Sequence, residues 1–112
     1  MLAGDRFHPT VGMAAAAARG LVLRREFGRG GTPVGIMRAR DLSNGRSLPL
    51  STVKRMYSFF ARHEVDKKGS GFKPGSQGYP SSGAVAWLLW GGEPGRVWAT
   101  AIRDRAIKAG VW

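Results

Sequence analysis

Cysteine is absent from this 112-residue chain, and acidic side chains are scarce. Without cysteine there is no disulfide framework and no thiolate metal site. The compartment is therefore not written in the redox chemistry. Histidine occurs only at His8 and His63, and neither lies in an H-E-x-x-H arrangement. No apolar run approaches the roughly 18 residues that read as a membrane span. The weakly apolar run Ala14–Ala18 is cut by Arg19 and does not read as a secretory signal. No internal repeat and no linker composition is visible. One domain is the expectation for this length.

What is present is positive charge. Eighteen Lys and Arg stand against seven Asp and Glu, a formal net charge of +11. The cations are threaded through segments that also carry aliphatic and aromatic residues, so they belong to a folded body. Apolar content of 43% supports a packed core over disorder. Self-repulsion of this size is best tolerated beside a polyanion, most often nucleic acid.

The apolar periodicity predicts an all-α single domain of about five helices with long, Gly-rich basic loops. Residues 1–9 read as an irregular arm and 10–112 as the helical domain. Thr10 caps a helix over about 11–27, with Val11, Ala14, Ala15, Ala18, Leu21 and Val22 as its inward stripe. Gly28 offers its left-handed end. Thr32-Pro33 opens a second helix to about 43, with Val34, Met37 and Leu42 inward. A third spans about 50–65, striped by Val53, Met56, Tyr57 and Phe60. Residues 66–80 read as a long loop tacked down by Phe72 and Tyr79. Ser81 or Ser82 caps a nearly all-apolar helix over 82–90, expected to be central. Glu93-Pro94 opens the last helix, with Val97, Trp98, Ala101, Ile102 and Arg105 on one face.

Several segments suit anion binding. The second and third helices have the layout of a helix-turn-helix, although the connection is long for one. Ser51, Thr52, Lys54 and Arg55 near the start of the third helix supply hydroxyls and cations for phosphate and base contacts. Gly28–Pro33 places Arg29 and Thr32 at a helix N-terminus, where backbone N–H groups favour phosphate. It lacks the Lys-Ser/Thr of a P-loop. Arg38, and Lys67, Lys68 and Lys73 of the long loop, complete the expected nucleic-acid contacts. Trp87, Trp90 and Trp98 sit in apolar contexts and read as core. Trp112 reads as a possible anchor for a neighbouring protein surface. Around His63, the residues Asp66, Asp41, Glu64 and Asp104 offer a divalent-metal nuclease reading only if they converge in space.

Three stretches are more particular. They are FGRGGTPVGIMRARDLSNG over Phe27–Gly45, VKRMYSFFARHEVDK over Val53–Lys67 and GYPSSGAVAWLLWGG over Gly78–Gly92. In this order they resemble a small helical domain of tailed bacteriophages and prophages. That domain is similar to pieces fused to, or encoded near, head-maturation proteases and ParB-like nuclease-domain proteins. The resemblance implies phage origin, hence a location in the host cytoplasm or the virion interior. It implies no settled activity. One departure concerns the third helix. Related sequences read Leu-Ser-Pro before it, whereas Ser47-Leu48-Pro49-Leu50-Ser51 here shifts the expected cap to Ser47 or Ser51.

The leading expectation is a non-catalytic protein that binds nucleic acid, duplex DNA favoured, by phosphate contacts. A virion or capsid-associated protein is the alternative, and a nuclease around His63 and Asp66 the third reading. No cofactor, no metal and no membrane partner is expected. Oligomeric state is left open.

Overall fold

Side-chain oxygens start three of the helices. In the computed structural model, which describes residues 4–112, Thr10 Oγ1 accepts the Met13 N–H at 3.2 Å and opens α1 (Val11–Phe27). Gly28, at φ 65°, ends α1 by donating its N–H to the Arg24 carbonyl. Thr32 Oγ1 accepts from the Gly35 N–H and opens α2 (Pro33–Ser43), with Pro33 as its first residue. Ser81 Oγ accepts from the Ala84 N–H and opens α4 (Ser82–Leu89). The last helix, α5, runs Gly92–Lys108. These four and α3 (Leu50–His63) make the expected five-helix, all-α architecture.

The start of α3 differs from expectation. Its cap position is Pro49, and neither Ser47 nor Ser51 bonds the first turn. The entry is held instead by a two-stranded pairing. Strand β1 (Arg6–Phe7) lies antiparallel to β2 (Leu48–Pro49), Phe7 opposite Leu48. Phe7 is buried, and Arg6 reaches back to Ser47 through its Oγ and carbonyl. The arm read as irregular is therefore paired at these two residues; residues 1–3 of it lie outside the described residues. Beyond α3 a 3₁₀ turn (Glu64–Lys68) replaces the expected last helical residues and the start of the loop.

The inward stripe of α3 is as expected, with Val53, Met56 and Phe60 buried, Tyr57 half-buried and Phe59 added. That of α1 is not, and those of α2 and α5 hold only at Leu42 and Ile102. In α1 the buried residues are Met13, Ala17, Gly20 and Leu23, while Val11 is 88% exposed. In α2 they are Gly35, Arg38, Ala39 and Leu42, leaving Val34 and Met37 outside. In α5, Gly95, Ala99, Ile102 and Ala106 face in, and Val97 faces out. The physical reason is shared. Small residues let helix backbones approach closely, and that contact outweighs the lost burial of a few valines. At Gly20 an added Cβ would stand 2.8 Å from the Leu89 nitrogen of α4.

The apolar α4 is central, as expected. It packs on α1, α2, α5 and the 3₁₀ turn, while α3 leans mainly on α5. Phe72 and Tyr79 are half-buried against this core. The chain end folds back, and Trp112 meets Tyr57 of α3 edge-on at 5.8 Å.

Gly20→Ala tests the close packing. The clash is with backbone, which cannot rotate away. Urea denaturation should show a loss of about 1–3 kcal/mol, although alanine is the better helix former.

Candidate nucleic-acid interface

On α3, Ser51, Arg55, Ser58 and Arg62 follow one another at helical spacing, so they share one face. All four are exposed. The face spans about three helical turns, roughly 16 Å. Thr52 lies on another side and is buried at 8% exposure, so it offers no contact to a partner. Among the described residues no carboxylate lies within ion-pair distance of Arg55 or Arg62.

The neighbouring helix does not make a helix-turn-helix. Helices α2 and α3 share at most a marginal backbone contact. Trp90, just past α4, stands between them. An open hollow of about 460 Å³ has Trp90 with Val34 on the α2 side and Lys54, Arg55, Ser58 and Arg62 on the α3 side. A second hollow of about 480 Å³ also holds Arg62 and Trp90 and adds Gly31, Thr32, His63, Asp66 and Ser82. The two form one groove. Thr32 thus reaches the groove, although its hydroxyl already accepts the Gly35 N–H. Arg62 and Ser58 are the residues the sequence reading omitted from the site, while Trp90, read as core, is buried as expected and also lines the groove. The step from Arg55 to Arg62 was the available signal.

An aromatic column lies beneath. The Phe59 ring stacks on Trp90 at 4.7 Å and 10°, and on His63 at 4.3 Å and 26°. The Arg38 guanidinium lies 5.6 Å from the Trp90 ring centre. Arg38, expected as a surface phosphate ligand, is instead 5% exposed. Its NH1 stands 3.6 Å from Asp41 Oδ2, and its Nε is buried without a partner among the described residues. Burial lowers the Arg38 pKa from its ordinary value; Asp41 opposes the shift and Arg55 adds to it.

The remaining expected cations divide. Lys54 is engaged by its own chain: Nζ donates to the Trp112 carbonyl at 3.0 Å and lies 5.6 Å from that residue's ring centre. Trp112 accordingly packs on the chain that carries it. Lys67 bridges Glu64 at 3.1 Å and Glu93 at 3.0 Å, above the Trp87 ring. Lys68 and Lys73 are exposed and line a separate hollow of about 390 Å³ with Gly69, Ser70 and Ser76. Arg29 is exposed beside Phe27. The structure therefore gathers Thr32, Lys54, Arg55 and Arg62 in one groove and the loop lysines in another hollow.

The carboxylates do not converge on His63. Its Nδ1 meets Asp66 Oδ2 at 2.9 Å, while Glu64, Asp41 and Asp104 each pair with a nearby cation. Among the described residues no three His, Asp or Glu side chains gather as a metal site. Nor is any helix among them long and apolar enough to cross a membrane. No protein-family model, no curated protein and no solved structure matches the chain.

Two outcomes follow for the ionic and stacked contacts. Burial raises the Glu93 carboxyl, but bonds to Lys67 and Arg96 outweigh it and set the pKa below the ordinary range. A depressed carboxylate stabilises above its unfolded pKa, and the contribution is lost as pH falls through the folded one. For Lys67, burial lowers the pKa, but Glu93 and Glu64 outweigh it and raise it. That contribution is present below the unfolded pKa and disappears as pH rises through the folded one. Lys67→Met should therefore flatten the loss of thermal stability below about pH 4. His63→Ala should cost about 1–2 kcal/mol through the lost stack and hydrogen bond. His63→Phe should recover the stacking part in the same denaturation assay.

Proposed function

We propose that this chain is a non-catalytic protein that binds duplex DNA through its phosphates. The observation that carries the reading is the outward face of α3, where Arg55 and Arg62 stand exposed without a carboxylate among the described residues, flanked by Ser51 and Ser58. Of the seven acidic side chains, Asp41, Glu64, Glu93 and Asp104 sit beside cations, and Asp66, held by His63, lines the hollow next to Arg62. Both charges on this face of α3 are positive. Hydroxyls interleaved with arginines on one helix face suit backbone contacts along a groove wall. Lys68 and Lys73 add a second contact.

Binding fits the geometry around His63 better than catalysis does. The ring is stacked on Phe59 and its Nδ1 is held by Asp66. The resemblance seen in the sequence supplies the setting, phage or host DNA in an infected cell or a virion.

A gel-shift titration at several salt concentrations tests the proposal. With about five phosphates neutralised, the log–log salt slope should lie near −4 to −5. Arg55→Ala with Arg62→Ala should weaken binding evenly across sequences and reduce that slope by about 2. Because both side chains are exposed, the melting temperature should hold. No binding to duplex DNA at about 50 mM salt, where counterion release is strongly favourable, would remove the proposal and leave the virion-protein reading.

A further inference from the structure

We propose that the hollow at the starts of α2 and α4 takes an unpaired nucleobase, which stacks on the outer face of the His63 ring. The inference rests on the nucleic-acid reading above and deepens it: α3 holds phosphates, and this hollow holds a base.

Three observations meet here. The first is an aromatic column with one open end. His63 and Trp90 each stack on Phe59, at 4.3 Å and 4.7 Å. Their own rings make no contact among the described residues, so Phe59 lies between them. The Arg38 guanidinium lies over Trp90 and closes that end. The other end is His63, whose side chain is 38% exposed. Phe59 covers one face of its ring and Asp66 holds its Nδ1 edge. What stays open is the opposite face and the Nε2 edge.

The second is that this ring is held in place. Asp66 Oδ2 lies 2.9 Å from His63 Nδ1. The same side chain is seated on the start of α4, where a Cβ at Gly83 would stand 3.0 Å from it. A platform fixed from beneath and from one edge loses little freedom when a ligand lands on it. The third is the space in front. His63 lines the hollow of about 480 Å³ together with Thr32, Arg62 and Ser82. That volume lies within the range of about 300–1,000 Å³ common to small-ligand sites. Arg62 also lines the neighbouring hollow beside Arg55 and Ser58. A strand whose phosphates follow α3 therefore passes the mouth of this one.

A base suits the hollow better than a phosphate does. The Asp66 carboxylate lines it, repels an anion and accepts from the N–H groups on the edge of a base. Histidine is among the rings on which unpaired bases stack. Bases inside an intact duplex are stacked on one another and do not reach it. The ligand is therefore a base from an unpaired stretch beside a duplex. A free nucleoside offers the same ring, and the test separates the two sources.

The probe is a DNA duplex with a short single-stranded overhang, compared with the same duplex carrying an abasic overhang of equal phosphate count. The readouts are affinity by fluorescence anisotropy and the histidine ring signals in a ¹H–¹³C spectrum. The chain has two histidines, and His8, whose carbonyl accepts from Trp98 of α5, is the internal reference. The base-bearing overhang should bind about tenfold more tightly than the abasic one. The His63 signals should move upfield and saturate while those of His8 stay. His63→Ala should abolish the preference, and His63→Phe, which keeps a ring there, should retain it. If His63→Ala fails to fold, Ser82→Phe decides: it fills the hollow from an exposed position and should abolish the preference too. Equal affinity for the two overhangs with unmoved His63 signals overturns the inference and leaves the phosphate reading intact. A preference that survives His63→Ala or Ser82→Phe overturns it as well. No binding to any of these DNAs ends the phosphate reading. Adenosine alone then decides the hollow: a saturable His63 shift keeps it as a nucleoside site, and no shift removes it.

Discussion

The seat of α4 is the constraint on which the other contacts rest. This helix carries no charge and must be covered on nearly every side. Its neighbours cover it with glycine. A Cβ at Gly30 would stand 2.6 Å from the Val85 side chain, one at Gly20 would meet the Leu89 backbone, and one at Gly95 would meet the Trp90 carbonyl at 2.9 Å. These glycines belong to α1, the α1–α2 loop and α5. The approach they permit fixes where Trp90 emerges. Trp90 in turn lines the groove between α2 and α3.

This arrangement explains which parts of the fold were legible. Caps are local chemistry, so Thr10, Thr32 and Ser81 could be read from a few residues each. The stripe of α3 was legible because its apolar residues are large and its polar ones charged. On α1 and α5 the rule inverts. Ala17, Gly20, Gly95 and Ala99 are chosen for size, and Val11 and Val97 are left in water. An apolar scale ranks valine above glycine and so selects the wrong face. Shape complementarity between segments some 70 residues apart has no local signature.

The candidate site was legible to a similar degree. Arg55 and Ser51 stand exposed on one face of α3, as expected. Lys54 and Lys67 also looked like free cations. Each is held by a group far along the chain, the Trp112 carbonyl and the Glu93 carboxylate. Arg38 looked like another surface arginine, but a position flanked by Gly35 and Ala39 on the packed side of α2 had to turn inward. Counting cations therefore overstated how many are free, and Arg62, which shares a face with Arg55, was passed over.

The entry to α3 links this face to a distant part of the chain. The helix has no side-chain cap of its own, and its approach is secured by Phe7 against Leu48 and by Arg6 on Ser47. A first turn lacking a local cap frays when its tertiary support lifts. Amide exchange at Ser51 and its neighbours would then follow undocking of residues more than forty positions earlier. Ser51 and Arg55 lie in those opening turns. The N-terminal strand thus sets how long the start of the cationic face keeps its shape, and a partner bound there would slow exchange in Arg6 and Phe7 without touching either.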